Sequence, residues 1–136
     1  MFSESDLVFS YTTKDAVRDG VLIPVPGNIS KDCRIKFPVY FNDSVWSGYV
    51  KALPEEDHTE QISDMLKDFT FCAAGYRGSI LKFKIYLECD PSDPLEPNEQ
   101  LCEDDRVKSA ELKVVITAHD IDDPTPAIFI MLPWED

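Results

Sequence analysis

Ser79-Ile80-Leu81-Lys82-Phe83-Lys84-Ile85-Tyr86-Leu87-Glu88-Cys89 alternates apolar and polar side chains, the period of a strand with one wet face. Leu81, Phe83, Ile85 and Leu87 fall on one side, and Lys82, Lys84 and Glu88 on the other. Residues 110–118 repeat the pattern, with Leu112, Val114 and Ile116 inward. Asp122-Asp123-Pro124-Thr125-Pro126 is turn chemistry. Beyond it Ile128, Ile130 and Leu132, or their interleaved partners Phe129 and Met131, supply a third strand that closes an antiparallel hairpin.

Working back from this core, Glu55-Glu56-Asp57 precedes the longest helix, predicted over 58–74 and stopped by Gly75. Its buried stripe is Ile62, Met65, Leu66, Phe69, Cys72 and Ala73; Glu60, Asp64, Lys67 and Asp68 face water. Glu60 and Asp64 lie one turn apart and repel, at a cost of a few tenths of a kcal/mol. Farther upstream, 11–20 reads as a short helix capped by Thr12 or Thr13, with Asp15 in its first turn and Gly20 as its stop. Residues 21–26 are extended, and two prolines confine them to a sheet edge. A second extended piece spans 34–41. Asn42 or Asp43 then caps a helix whose apolar face is Val45, Trp46, Tyr49, Val50 and Leu53, ended by Pro54. The sum is an α+β fold in a single domain, residues 1–136: a small antiparallel sheet of about three main strands in the C-terminal part, short edge segments, and helices packed on one face.

One stretch fits no period. Residues 90–106 contain three prolines, and from Glu88 to Asp105 there are eight acids (Glu88, Asp90, Asp93, Glu96, Glu99, Glu103, Asp104, Asp105) and no base. A long irregular loop in a small domain is commonly functional or disordered.

Charge is distributed as unevenly as structure. Residues 1–53 balance six acids with six bases, whereas 54–136 set 20 acids against seven bases and hold the whole net charge of −13. Such a field repels nucleic acid and anionic membrane and attracts a basic protein surface. Apolar content of 43% supports a real core, and no apolar run approaches the about 20 residues of a membrane span. The opening Met1-Phe2-Ser3-Glu4-Ser5-Asp6 lacks the basic start and apolar stretch of a signal peptide, so the expectation is a soluble, cytoplasmic protein.

Chemical motifs are sparse. Cys33, Cys72, Cys89 and Cys102 have no Cys-x-x-Cys spacing and read as reduced thiols, with Cys72 and Cys89 in the core and Cys102 exposed in the acidic loop. His119-Asp120-Ile121-Asp122-Asp123 is the one cluster of ligand-type residues, but it lacks the glycine and distal glutamate of an EF-hand loop and reads as an acidic turn. His58 and His119 are the only histidines, and there is no Gly-x-Ser-x-Gly and no phosphate-cradling glycine motif. No metal, cofactor or catalytic set is therefore assigned, and the expectation is a protein that is not an enzyme. Trp46 and Tyr49 read as core anchors, because a base-stacking platform needs basic neighbours and only Lys51 is close. Trp134 either packs back on the sheet or offers an anchor to a partner.

Three stretches carry a family resemblance: the run from Tyr11 to Val25, with its Asp19-Gly20-Val21-Leu22 turn; Phe37-Pro38-Val39 with Val45-Trp46; and Ile128-Phe129-Ile130-Met131-Leu132-Pro133-Trp134-Glu135-Asp136. Through them the chain resembles an uncharacterised domain family of bacterial, plasmid and phage proteins. The resemblance implies a mobile-element origin and a bacterial cytoplasm; it assigns no activity and no site residues.

Two functional readings follow. One is an acidic inhibitor or regulator of a basic, nucleic-acid-handling protein, of anti-restriction or anti-CRISPR type, acting by charge mimicry. Its contact residues would be Glu88, Asp90, Asp93, Glu96, Glu99, Glu103, Asp104 and Asp105, with Glu60, Asp64 and Trp134. It would touch neither nucleic acid nor membrane directly. The alternative is a non-catalytic accessory domain that works through an apolar protein–protein or self-association interface, its acidity serving solubility.

Overall fold

The first helix, α1 (Thr13–Arg18), is held by a capping box. The Asp15 N–H donates to the Thr12 hydroxyl at 3.0 Å and the Thr12 N–H donates back to the Asp15 carboxylate at 3.3 Å. These hydrogen bonds from Thr12 hold the Asp15 carboxyl below its ordinary range. Gly20, at φ 77°, takes the left-handed conformation that turns the chain into β1 (Leu22–Pro24). A computed structural model describes residues 12–120 and 123–135.

Helix α2 (Gly27–Asp32) buries Ile29 and Ser30. Its following residue, Cys33, is buried with its thiol 3.7 Å from the Ser63 carbonyl. The extended piece expected over 34–41 is correspondingly shorter: Arg34 stands at φ 62°, and β2 covers only Val39–Asn42. Helix α3 (Asp43–Tyr49) buries Val45 and Tyr49, whereas Leu53 lies exposed. After Pro54, a 3₁₀ turn (Glu55–Asp57) leads into α4 (His58–Ala73). The His58 ring closes this junction, with Nε2 2.9 Å from the Leu53 carbonyl and its edge against Trp46.

The C-terminal part folds as the alternation requires. Strands β3 (Ile80–Glu88), β5 (Val107–Asp120) and β6 (Asp123–Met131) are the long ones, β3 and β6 each antiparallel to β5. The six-stranded sheet runs β1-β2-β6-β5-β3, and β4 (Glu99–Leu101) pairs with β5. Its pairs are antiparallel except β2–β6, where Val39, Tyr40 and Phe41 run parallel beside Ile128, Phe129 and Ile130. The fold is thus α+β. Pro124 and Pro126, expected in the turn, lie within β6, and Ala118 pairs with Pro126. Residues 121–122, between β5 and β6, lie outside the described residues, so part of the His119–Asp123 cluster and of the expected turn does too.

One face of the sheet presents Phe41, Phe83, Ile85, Leu112, Val114 and Ile130 to the helices, and α4 answers with Ile62, Met65, Leu66 and Phe69. Each of these side chains contributes about 1.5–3 kcal/mol by leaving water. Phe69 and Phe83 meet edge to face at 5.9 Å. Ala73 still packs against this core as expected, but Cys72, expected beside it, is exposed, because it faces the rim of β3 rather than the sheet. Cys89 and Cys102 are both half-buried where the acidic segment leaves β3 and returns to β5.

Candidate functional site

The acidic segment is more ordered than its composition predicts. It contains β4, whose Glu99, Gln100 and Leu101 pair with Ala110, Ser109 and Lys108 on the flank of β5 that β6 occupies farther along. Several of its acids serve the segment's own turns. The Asp90 carboxylate accepts the Ser92 N–H at 3.0 Å and the Ser92 hydroxyl at 2.7 Å, which holds its pKa down. Asp93 accepts the Asp90 N–H, and Asp104 accepts the Arg106 N–H. Asp105 flanks a shallow cleft with Arg106, and Glu103 is exposed.

Glu99 leaves the acidic surface altogether. Its side chain is 3% exposed and its carboxylate accepts from the Lys108 ammonium at 3.0 Å and the Tyr49 hydroxyl at 2.7 Å. Burial works against the charge, but the Glu96 N–H, Tyr49 and Lys108 more than offset it and hold the Glu99 carboxyl below its usual range. The Tyr49 phenol is pushed well above its ordinary value by burial and by the Glu99 carboxylate it donates to. Asn98 completes the cluster, donating from Nδ2 to the Tyr49 oxygen and to the Glu111 carbonyl, both at 3.0 Å. Lys108 shares the inward phase of Ala110, Leu112 and Val114, so the alternation of β5 itself places a charge beneath α3 and calls for a partner. That signal is present in the sequence; the partner Glu99 emerges only with the β4 register.

This cluster floors a groove of about 470 Å³ at the seam between the end of β6 and the start of β4. Glu96, Gly48 and Trp134 wall it, and Trp134 is 55% exposed. The Glu135 carboxylate fixes the final turn, accepting the Ser44 hydroxyl at 2.6 Å and the Leu132 N–H at 2.8 Å. Lys113 donates to the Glu135 carbonyl. Trp134 therefore packs neither on the sheet nor far from it; it stands at the lip of a polar groove.

The second groove, of about 410 Å³, lies between α4 and β3. Here the structure brings together three of the expected contact residues, Glu60, Asp64 and Glu88, and adds Asp57, Tyr86 and Leu87, with no base in the lining. Asp57 was concealed in the sequence by its place in a three-residue acidic run whose geometry only the 3₁₀ turn fixes. One turn along α4, burial and the nearby Asp64 raise the Asp68 carboxyl. Among the described residues, no three His, Cys, Asp or Glu side chains converge closely enough to hold a metal ion. The carboxylates are spread along a surface, an arrangement suited to several separate cations rather than one.

A larger cleft, about 920 Å³, opens on the opposite edge of the sheet and has the opposite sign: Lys31, Arg34 and Lys36 surround Val25, Phe37 and Val39. Among the described residues, no helix is long and apolar enough to cross a membrane. No family model, curated protein or solved structure matches this chain.

Proposed function

We propose that this protein binds a basic, nucleic-acid-handling protein through the groove between α4 and β3, inhibiting or regulating it by presenting carboxylates where the partner receives phosphates. The observation that carries this reading is the row Asp57, Glu60, Asp64 and Glu88 along one groove with no cation in its lining. The net charge of −13 steers a basic surface toward the molecule from a distance, and the groove supplies the close contacts. Tyr86, 62% exposed beside the carboxylates, adds a ring face for an arginine or lysine. The acidic segment at 90–106 plays a smaller part, because Asp90, Asp93 and Asp104 are occupied with its own turns and Glu99 is buried.

The test is capture from a bacterial lysate on immobilised protein at about 50 mM salt, elution with duplex DNA, and repetition at about 300 mM. A nucleic-acid enzyme held at low salt and displaced by DNA is expected. Glu60→Gln, Asp64→Asn and Glu88→Gln together should abolish its retention, whereas Glu96→Gln, Glu103→Gln and Asp105→Asn, an equal loss of charge, should leave most of it. Equal loss from both triples would reduce the effect to bulk charge and overturn the groove as the site.

A further inference from the structure

Strand β3 ends the sheet, and among the described residues no strand lies beside its outer edge. The Cys89 N–H donates to the Arg106 carbonyl and the Ile116 N–H to the Ser79 carbonyl, which sets the phase of the β3–β5 ladder. Odd-numbered residues of β3 hydrogen-bond to β5, so the even-numbered ones direct their N–H and C=O groups outward. At one end of this row the Ile80 carbonyl is taken by the Tyr76 hydroxyl. Just past the other end, the Asp90 N–H is taken by the Asp93 carboxylate. Among the described residues, what remains open is Lys82, Lys84, Tyr86 and Glu88, a row whose midpoint is Ile85. Around it lie exposed apolar side chains: Tyr86, and Phe71 on the last turn of α4, 85% exposed and beside the same edge.

A proline-free open edge of this length is a template for another strand. One register is self-complementary in charge and also uses the whole open row. Antiparallel pairing about Ile85 uses every open group, sets Lys82 opposite Glu88 of a second copy and Lys84 opposite its Tyr86, and does both twice. Moving the axis to Lys84 opposes two lysines and needs the occupied Ile80; moving it to Tyr86 keeps Lys84 opposite Glu88 but sets Lys82 against the occupied Asp90. Opposite charges directly across a strand pair stabilise it and like charges destabilise it. We infer that two copies of this chain join antiparallel along β3 about Ile85, extending the sheet across a two-fold axis and covering Phe71. The inference goes beyond the acidic-groove reading and needs no foreign partner. Because Tyr86 and Glu88 belong to both surfaces, a second copy and a basic partner compete.

Sedimentation of the purified protein alone, at about 150 mM salt and across rising concentration, tests it. At that ionic strength a Debye length of about 8 Å damps the repulsion between two bodies of −13 while contact pairs persist. A mass that rises to twice the monomer is expected. Lys84→Pro removes only an outward N–H, so the circular dichroism and melting profile should hold while the dimer is lost. Lys82→Glu should weaken the dimer at least tenfold, and adding Glu88→Lys in the same chain should restore it. A monomer at every concentration would overturn the inference and leave the edge to a strand of another protein. A dimer indifferent to Lys84→Pro, or one that the double reversal fails to restore, would place the interface elsewhere.

Discussion

The two edges of the sheet solve the same problem differently. At one edge, β1 is three residues long and carries Pro24. The Val25 N–H bonds to the Val39 carbonyl and the Asp43 N–H to the Val21 carbonyl, so even residues of β1 also point outward, and Pro24 stands where a missing donor costs nothing. Lys31, Arg34 and Lys36 surround that edge. At the other edge, β3 runs for nine residues without proline, and carboxylates gather at its C-terminal end. The first edge is closed by brevity and by a residue that cannot pair. The second is guarded only by Lys82 and Lys84, which deter random pairing yet leave a specific one open.

Proline substitution separates inward from outward positions most forcefully. Ile85→Pro, at a buried position whose N–H faces β5, should cost about 3 kcal/mol or more and leave no cooperative melting transition. Lys84→Pro, one residue away, should cost about 1 kcal/mol or less in chemical denaturation; a cost equal to that of Ile85→Pro would break the assigned phase of the edge. Next comes the helix that backs β3. Leu66→Ala, at a fully buried site, should lose about 2–5 kcal/mol, whereas Phe71→Ala on the same helix should stay within about 0.5 kcal/mol.

The ion pair beneath α3 gives a smaller effect. Glu99→Ala strands Lys108 and the Tyr49 hydroxyl and should cost about 2–3 kcal/mol, with Tyr49→Phe nearer 1 kcal/mol. The same groups set a modest dependence on pH. Glu99 has a depressed folded pKa, so its contribution is complete above the usual carboxylate range and is lost as pH falls through the lower native value. Tyr49 has a raised pKa, so its contribution is complete below about pH 10 and is lost as pH rises beyond it. Thermal melting against pH should therefore decline at both ends. In Tyr49→Phe the alkaline decline should flatten; an unchanged alkaline limb would remove Tyr49 from that account.

Much of this fold was legible because its larger elements follow simple periods. The alternation in β3 and β5, the stripe of α4 and the Thr12 cap each rest on local chemistry that survives folding intact. Helix α2 escaped because Pro26, Gly27 and Asn28 are poor helix formers and its six residues are too few for a period; burial of Ile29 and Cys33 against α4 sustains it. Strand β4 escaped because three residues show no alternation, and only pairing with β5 makes them a strand. The acidic groove was half visible: Glu60 and Asp64 share a helix face, but Asp57 and Glu88 join them only once α4 is laid along β3.

The parallel pairing of β2 with β6 bears on how the chain is made. Strands β1 and β2 pair with each other but join the rest of the sheet only through β6, which follows β3, β4 and β5 along the chain. The interval in which Phe41 and Val45 wait for Ile130 therefore spans the making of residues 46–129. Contacts so distant in sequence slow folding and leave sticky surface open meanwhile. A nascent chain released before β6 would hold an α4–β3–β5 unit with its sheet open on both flanks. Through that interval the like charge of nascent copies opposes their association while β1 and β2 wait for β6.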